Sequence, residues 1–426
     1  MKVDLEVPNT LILLVIGIAS ILLLKDKILS LLSHGDQGKK SVKDKRIIKH
    51  SKKMVKKQII VVGAGLIGPR HAHHVSINPR CELFAIVDLF PVPELVEKYN
   101  TRYFQNIKDL IGYCDSNGLK YPDGAIVCTP NHTHAKVSKE LSDYGINLII
   151  EKPVTPTPED SKALKLYTMN KVKVLVGHHR RFHPVIKEAK AKIKQIGDVL
   201  AIQGSWCLKK HHEYYNDWRK SRSGGPMLIN LVHDLDLLQY LLGPVQSVFA
   251  EPLKNLRDHD DEGCSLVLKF KSGTIGTFVV SDNIPSPFNF ENATGENPLI
   301  PHCPIDGLYR IFGNKGTLSL PDMKIYSTEH WHKPMVVEEL NRPVGVPFDD
   351  QLNHFVDVLN GDLIKCTIDD GISAVLVTQA IMESLDTGER VIVKDLSVVE
   401  PNFNVLGLKE LTPEPLKPMA TAIKVN

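Results

Sequence analysis

The 426-residue chain predicts an α/β protein: a doubly wound parallel sheet, then an α+β domain of mostly antiparallel strands. Three observations carry this. From Gln58 to Gly177, short β-branched runs alternate with helical segments, the order that builds parallel sheets. The first run leads through GAGLIG (63–68) into a helix start, a glycine-rich strand-to-helix turn. After Gly177 the alternation stops, and strand-like pairs joined by glycine turns take over.

Residues 1–57 precede that pattern. The run TLILLVIGIASILLL (10–24) is almost wholly apolar. Its fifteen residues span roughly 22 Å as a helix, short of the ~30 Å hydrocarbon core. Flanking Val7 and Pro8 extend it. Asp4 and Glu6 precede it and no small-residue cleavage site follows, which disfavours a signal peptide. A charged linker adjoins it, so no neighbouring domain buries it as a core helix. The expectation is a single membrane anchor, with the Lys-rich side and the folded domains in the cytosol. A soluble cytoplasmic chain is the alternative. The segment 39–57 holds ten Lys or Arg against one acid, Asp44, leaving 42 basic and 48 acidic residues elsewhere, a net of −6. That mildly acidic body argues against nucleic acid as a partner. Seven scattered cysteines with no CxxC pair point to free thiols in a reducing compartment.

Residues 58–178 read as a dinucleotide-binding domain. Gly63 permits the tight turn, Gly65 lets backbone approach a pyrophosphate, and Gly68 allows close helix–strand packing. The second run, CELFAIVD, ends in Asp88, twenty residues after Gly68. An acid there suits a ribose 2′-hydroxyl and repels a 2′-phosphate. Leu89 and Phe90 follow, with no Arg, so NAD is favoured over NADP. GAIVCTP and INLIIEKP are strands, each followed by a helix. The second helix has Thr157 as N-cap and Pro158 in its first turn. KVKVLVG closes the series. TPNHTH and EKP fall at strand carboxyl ends, and so at a cofactor crevice.

Residues 179–398 form the α+β part. CSLVLKFKSGTIGTFVVSD predicts a hairpin turning at 271–273, and LYRIFGNKGTLSL another at 313–316. DDQLNHFVDVLNGD and DDGISAVLVTQAIMESLDTG have helical spacing. The Pro-punctuated tail, 399–426, carries no functional signal. In GGPMLINLVHDLDLLQYLLG (224–243), Asn230, His233 and Asp234 fall within roughly a 100° helical arc that Leu237 and Leu241 continue. Such a cluster reads as a pocket wall, or more blandly as an edge His satisfied by a neighbour. His71, His73 and His74, and His211 with His212 and Glu213, lack metal-ligand spacing. No metal site is expected.

Taken in order, GAGLIG, CTPNHTHA, EKP, GHHRRFHP, GG…HDLDLL and the SGT hairpin resemble the Gfo/Idh/MocA oxidoreductases. The resemblance spans residues 58–393. It implies a Rossmann domain, then an α+β domain whose large open sheet lines the substrate site and mediates homo-oligomers. It implies an NAD(P)-dependent oxidoreductase acting on a sugar, polyol or related hydroxy compound. Lys152 matches the family's active-site lysine and His233 its acid/base partner. The resemblance leaves open which of the two transfers the proton. Leu66, Ile67, Thr129, Pro130, Asn131, His134, Glu151 and Arg180 take cofactor-side positions. Asn230, Asp234, Trp218 and Arg219 take substrate-side positions. Many members carry an Asp four residues before the His. Here that position is Ile229, and Asn230 stands three before, where it cannot act as a general base. Some relatives use the scaffold for nucleotide-sensing regulation or for NAD-dependent glycoside cleavage, the two alternative functions.

Overall fold

The computed structural model describes residues 55–215, 217–257 and 261–409. Six strands make one parallel sheet: β1 (Lys57–Val62), β2 (Cys81–Val87), β3 (Arg102–Phe104), β4 (Gly124–Val127), β5 (Asn147–Ile150) and β6 (Val174–Val176). Their order is β3-β2-β1-β4-β5-β6. Ile59, Ile60, Ile126 and Ile149 are buried, as strands covered on both faces require. The helices are α1 (Gly68–Ile77), α2 (Pro93–Tyr99), α3 (Ile107–Ser116), α4 (His134–Asp143) and α5 (Pro158–Thr168). Thr157 caps α5, its hydroxyl accepting the Asp160 N–H at 3.2 Å. Chain order reverses between β1 and β4, which opens a crevice beyond their carboxyl ends. Strand β3 escapes the sequence pattern because its three residues, RYF, hold no β-branched side chain and stand in no apolar run.

The second sheet has nine strands: β7 (Val199–Cys207), β8 (Val245–Pro252), β9 (Gly263–Phe270), β10 (Ile275–Ser281), β11 (Tyr309–Gly313), β12 (Thr317–Leu320), β13 (Lys324–Ser327), β14 (Val336–Glu339) and β15 (Val391–Ile392). The order is β14-β13-β12-β11-β7-β10-β9-β8-β15, antiparallel throughout except β7 against β10. Both expected hairpins form, as β9–β10 and β11–β12. Burial alternates along β9 and β10, so one face is packed and the other bare. The packed face carries α6 (Pro184–Lys192), α7 (Val232–Leu242), and α9 (Ile368–Thr387). Leu235, Leu238, Val377 and Ile381 share a core with Leu266, Leu268 and Phe278.

Helix α8 (Pro347–Leu359) leaves this domain and packs on the first sheet. Its Leu352, Phe355 and Val356 join the core of β1, β4 and β5. A Cβ at Gly124 would lie 2.6 Å from the Phe355 ring, so the glycine makes room for that contact. The start of the tail follows the same route, with Leu406 buried in that core.

The apolar run at 10–24 lies outside the described residues, as does the tail beyond 409. Among the described residues no helix is long and apolar enough to cross a membrane.

Candidate active site

The glycine turn sets the first wall. Gly63 has φ +95°, and a Cβ there would sit 2.7 Å from Cys128 C and Thr129 N at the end of β4. A Cβ on Gly68 would lie 2.0 Å from the Gly63 carbonyl oxygen. Around Gly65 nothing lies within 4 Å, so its backbone faces open space. That is the cradle a pyrophosphate needs. Asp88 stands just beyond β2. One carboxylate oxygen accepts the Ala64 N–H of the turn at 2.6 Å and the other the Phe90 N–H at 2.9 Å. Leu66, Leu89 and Phe90 are exposed beside it, an apolar surface of the kind a purine stacks on. These residues fit a dinucleotide.

From this turn a cavity of about 270 Å³ runs between the two domains. Leu66, Ile67, Thr129, Pro130, Asn131, His134, Glu151, Lys152 and Arg180 line it from the first domain and its exit. Ile229 and His233 close the far side. Lys152 follows β5, and its Nζ donates to the Ile229 carbonyl at 2.9 Å. Burial pulls its pKa down to about 8, and Arg180 and Lys210 pull further, while Glu151 and Glu291 push back. His233 on α7 has no hydrogen-bond partner at Nδ1. Burial, then Lys152 and Arg180, hold it well below the ordinary imidazole value. Its ring meets His179 edge-on, centroids 5.1 Å apart.

Beneath these two residues lies a charge hub. Arg180 is 2% exposed. It contacts Asp234 at 3.3 Å, Glu291 at 2.7 Å and Glu296 at 3.0 Å. Three carboxylates keep this guanidinium charged and raise its pKa, although burial opposes that. The same three compete for one cation. Burial, with Glu291 and Glu296 nearby, lifts Asp234 to about 7 despite Arg180 and the Tyr309 hydroxyl that donates to it.

Helix α7 does not begin as the sequence suggests. A π turn, Met227–Leu231, precedes Val232–Leu242. It replaces the single α-helical arc and offsets Asn230 from His233 and Asp234, which follow it on the regular helix. His233 faces the cavity. Asp234, fully buried, turns to Arg180 and Tyr309 and is not among the lining residues. Asn230 turns away too, its Oδ1 accepting from Lys210 Nζ at 2.7 Å. Arg219 lies against the Tyr214 ring at 4.5 Å and is not a lining residue. The side chain of Trp218 lies outside the described residues.

His134 lines the cavity with both ring nitrogens engaged: Nε2 is 2.8 Å from the Thr129 carbonyl and Nδ1 3.0 Å from that of Pro153. It ties the β4 loop to the EKP turn. Sequence reasoning missed Arg70, Glu291, Glu296 and Phe348, all at the cavity. The Arg70 guanidinium lies 3.9 Å over the Phe348 ring. Arg70 follows the glycine turn by two residues, in no recognised motif, and Glu291, Glu296 and Phe348 arrive from distant parts of the chain.

A profile described as "Oxidoreductase family, NAD-binding Rossmann fold" matches residues 57–178, and one described as "Oxidoreductase family, C-terminal alpha/beta domain" matches 190–393. The chain belongs to the Gfo/Idh/MocA family. It is an oxidoreductase built on that family's two domains. Similar proteins include an uncharacterized oxidoreductase, YrbE, of Bacillus subtilis (strain 168), 25% identical over 351 residues, 78% of this chain and 96% of that one. Inositol 2-dehydrogenase of Rhizobium meliloti (strain 1021) is 29% identical over 222 residues, 50% of this chain and 65% of its own. Among solved structures, the WlbA dehydrogenase from Bordetella pertussis in complex with NADH and UDP-GlcNAcA matches with TM-score 0.64 and 22% identity, over 80% of this chain and 99% of that one.

Proposed function

We propose that this Gfo/Idh/MocA member interconverts an alcohol and a carbonyl on a sugar, polyol or related hydroxy compound, using NAD in preference to NADP. One observation carries the proposal. Lys152 and His233, from two different domains, open on one cavity that begins at the glycine turn. The relatives named for inositol and the neighbour holding a nucleotide sugar support the substrate class. Asp88 at the mouth of the turn supports NAD.

When bound, the nicotinamide supplies the hydride acceptor or donor. The chain handles the proton and the charge. Lys152 uses one N–H on the Ile229 carbonyl, leaving two for the substrate oxygen. As an ammonium it stabilises the alkoxide that develops there. His233, neutral and unpartnered at Nδ1, accepts the proton in oxidation and returns it in reduction. Pairing of Glu151 and Arg180 with their own partners keeps the surrounding charge fixed.

The test is a chain starting at Lys56, screened against sugars and polyols with NADH and NADPH fluorescence. Lys152→Ala and His233→Ala should each lower kcat by about 10²–10⁴-fold, with NADH affinity little changed. Full turnover in both variants would overturn the catalytic assignments. Absence of NADH and NADPH binding would overturn the dinucleotide site itself.

A further inference from the structure

The glycine-turn helix does more than face the cofactor crevice. His71 lies on α1, three residues after Gly68, and its Nε2 is 2.8 Å from Glu151 Oε1. Both side chains are almost wholly buried, 5% and 7% exposed. The other oxygen of Glu151 accepts the backbone N–H of Lys152 at 3.2 Å. The acid is therefore clamped at both oxygens, against the chain segment that carries the lysine. The pocket is shaped for it. A Cβ at Gly177 would lie 2.9 Å from Glu151 Cα and 3.0 Å from its Oε1. The His71 ring is backed by Phe348 of α8, centroids 5.0 Å apart.

We propose that His71 is a positioning residue for Lys152: by hydrogen bonding Glu151 it fixes a buried carboxylate beside the lysine and so keeps the ammonium charged. The inference rests on the reading of Lys152 as an active-site residue. The balance around Lys152 explains why this matters. Burial opposes its charge, as do Arg180 and Lys210, and Glu151 is the strongest influence in its favour, ahead of Glu291. His233, facing it from α7, is neutral. Glu151 itself is pushed up by burial and held down to about 2 chiefly by the His71 hydrogen bond and the charges of His71 and Lys152. Removing the His71 donor releases one clamped oxygen of Glu151 and raises that carboxyl's pKa, so the carboxylate is no longer held beside the ammonium and its support weakens.

The test reads Lys152 directly, without turnover. The pH dependence of trace acetylation at Lys152, followed by mass spectrometry, gives its titration midpoint. In the wild-type chain it is expected at about 8. In His71→Leu it should fall by about one pH unit or more. His71→Gln places an amide N–H near the same point and should restore it. Glu151→Gln should lower the midpoint as His71→Leu does, and stands in if the leucine variant does not fold. An unchanged midpoint in His71→Leu, or in Glu151→Gln when that variant stands in, overturns the proposal. Loss of the midpoint shift with Lys152 still essential for turnover condemns only the His71 role. A shifted midpoint with Lys152→Ala fully active condemns only the catalytic reading.

Discussion

Lys152 sits close to the pH at which it loses its charge. Burial lowers its pKa to about 8, so the ammonium is present below that pH and lost as pH rises through it. If the ammonium holds the alkoxide, kcat/KM for oxidation should be level through neutral pH and then fall about tenfold per pH unit above about 8. A rate that climbs through that pH would instead make Lys152 the proton acceptor. His233 is pushed down by burial and adjoining cations, so it is already neutral near pH 7 and should add no acid limb there. Asp88 carries a second prediction. Its carboxylate overhangs the turn at Ala64, where a 2′-phosphate would meet like charge. Asp88→Ala should lower the ratio of kcat/KM for NAD over NADP by about tenfold or more, a cost of about 1.4 kcal/mol. A wild-type chain that prefers NADPH would remove this role from Asp88.

The elements show how the site is held. The π turn before α7 places the Ile229 carbonyl on Lys152 and Asn230 on Lys210. Such insertions recur at functional sites. Helix α8 brings Phe348 to the cavity because Phe355 anchors it against Gly124. Phe355→Ala should destabilise the chain by about 3–5 kcal/mol, measured by denaturant unfolding, and should also disturb the Phe348 contacts with Arg70 and His179. The bare face of the second sheet exposes Leu200, Val267, Ile275 and Val279. We propose that a second copy of the chain covers it, as the family resemblance implies. Ile275→Lys with Val279→Glu should then lower the sedimenting mass, while an isolated subunit would unfold within about 1 kcal/mol of wild type. An unchanged mass would place any oligomer contact elsewhere.

The described residues fold around a division of labour. The parallel sheet supplies the turn and the lysine, the open sheet supplies a platform, and α7 brings the histidine across. The N-terminal apolar run carries its own proposal, that it holds the full chain to a membrane. Carbonate extraction should leave the full chain in the pellet and release a chain starting at Lys56. A full chain found in the supernatant would overturn that reading.

The sequence by itself determined the parts whose causes are local. Strand and helix periods, the glycine turn, the Thr157 cap and both hairpin turns arise within a few residues, so their patterns were legible. Ordered motifs also led to Lys152 and His233. The tertiary structure decided what depends on distant chain segments meeting. Glu291 and Glu296 reach Arg180 across more than a hundred residues, and Phe348 reaches α1 from farther still. The same holds for Asp234 and Asn230, whose helical arc was read as one pocket wall. The π turn rotates Asn230 relative to His233, and Asp234 turns inward to share the Arg180 guanidinium with Glu291 and Glu296. His71 makes the point most sharply: it has no metal-ligand spacing, yet folding sets it 2.8 Å from the acid beside the lysine. A buried charge must find its partner wherever the chain can bring one, and sequence spacing does not record that distance.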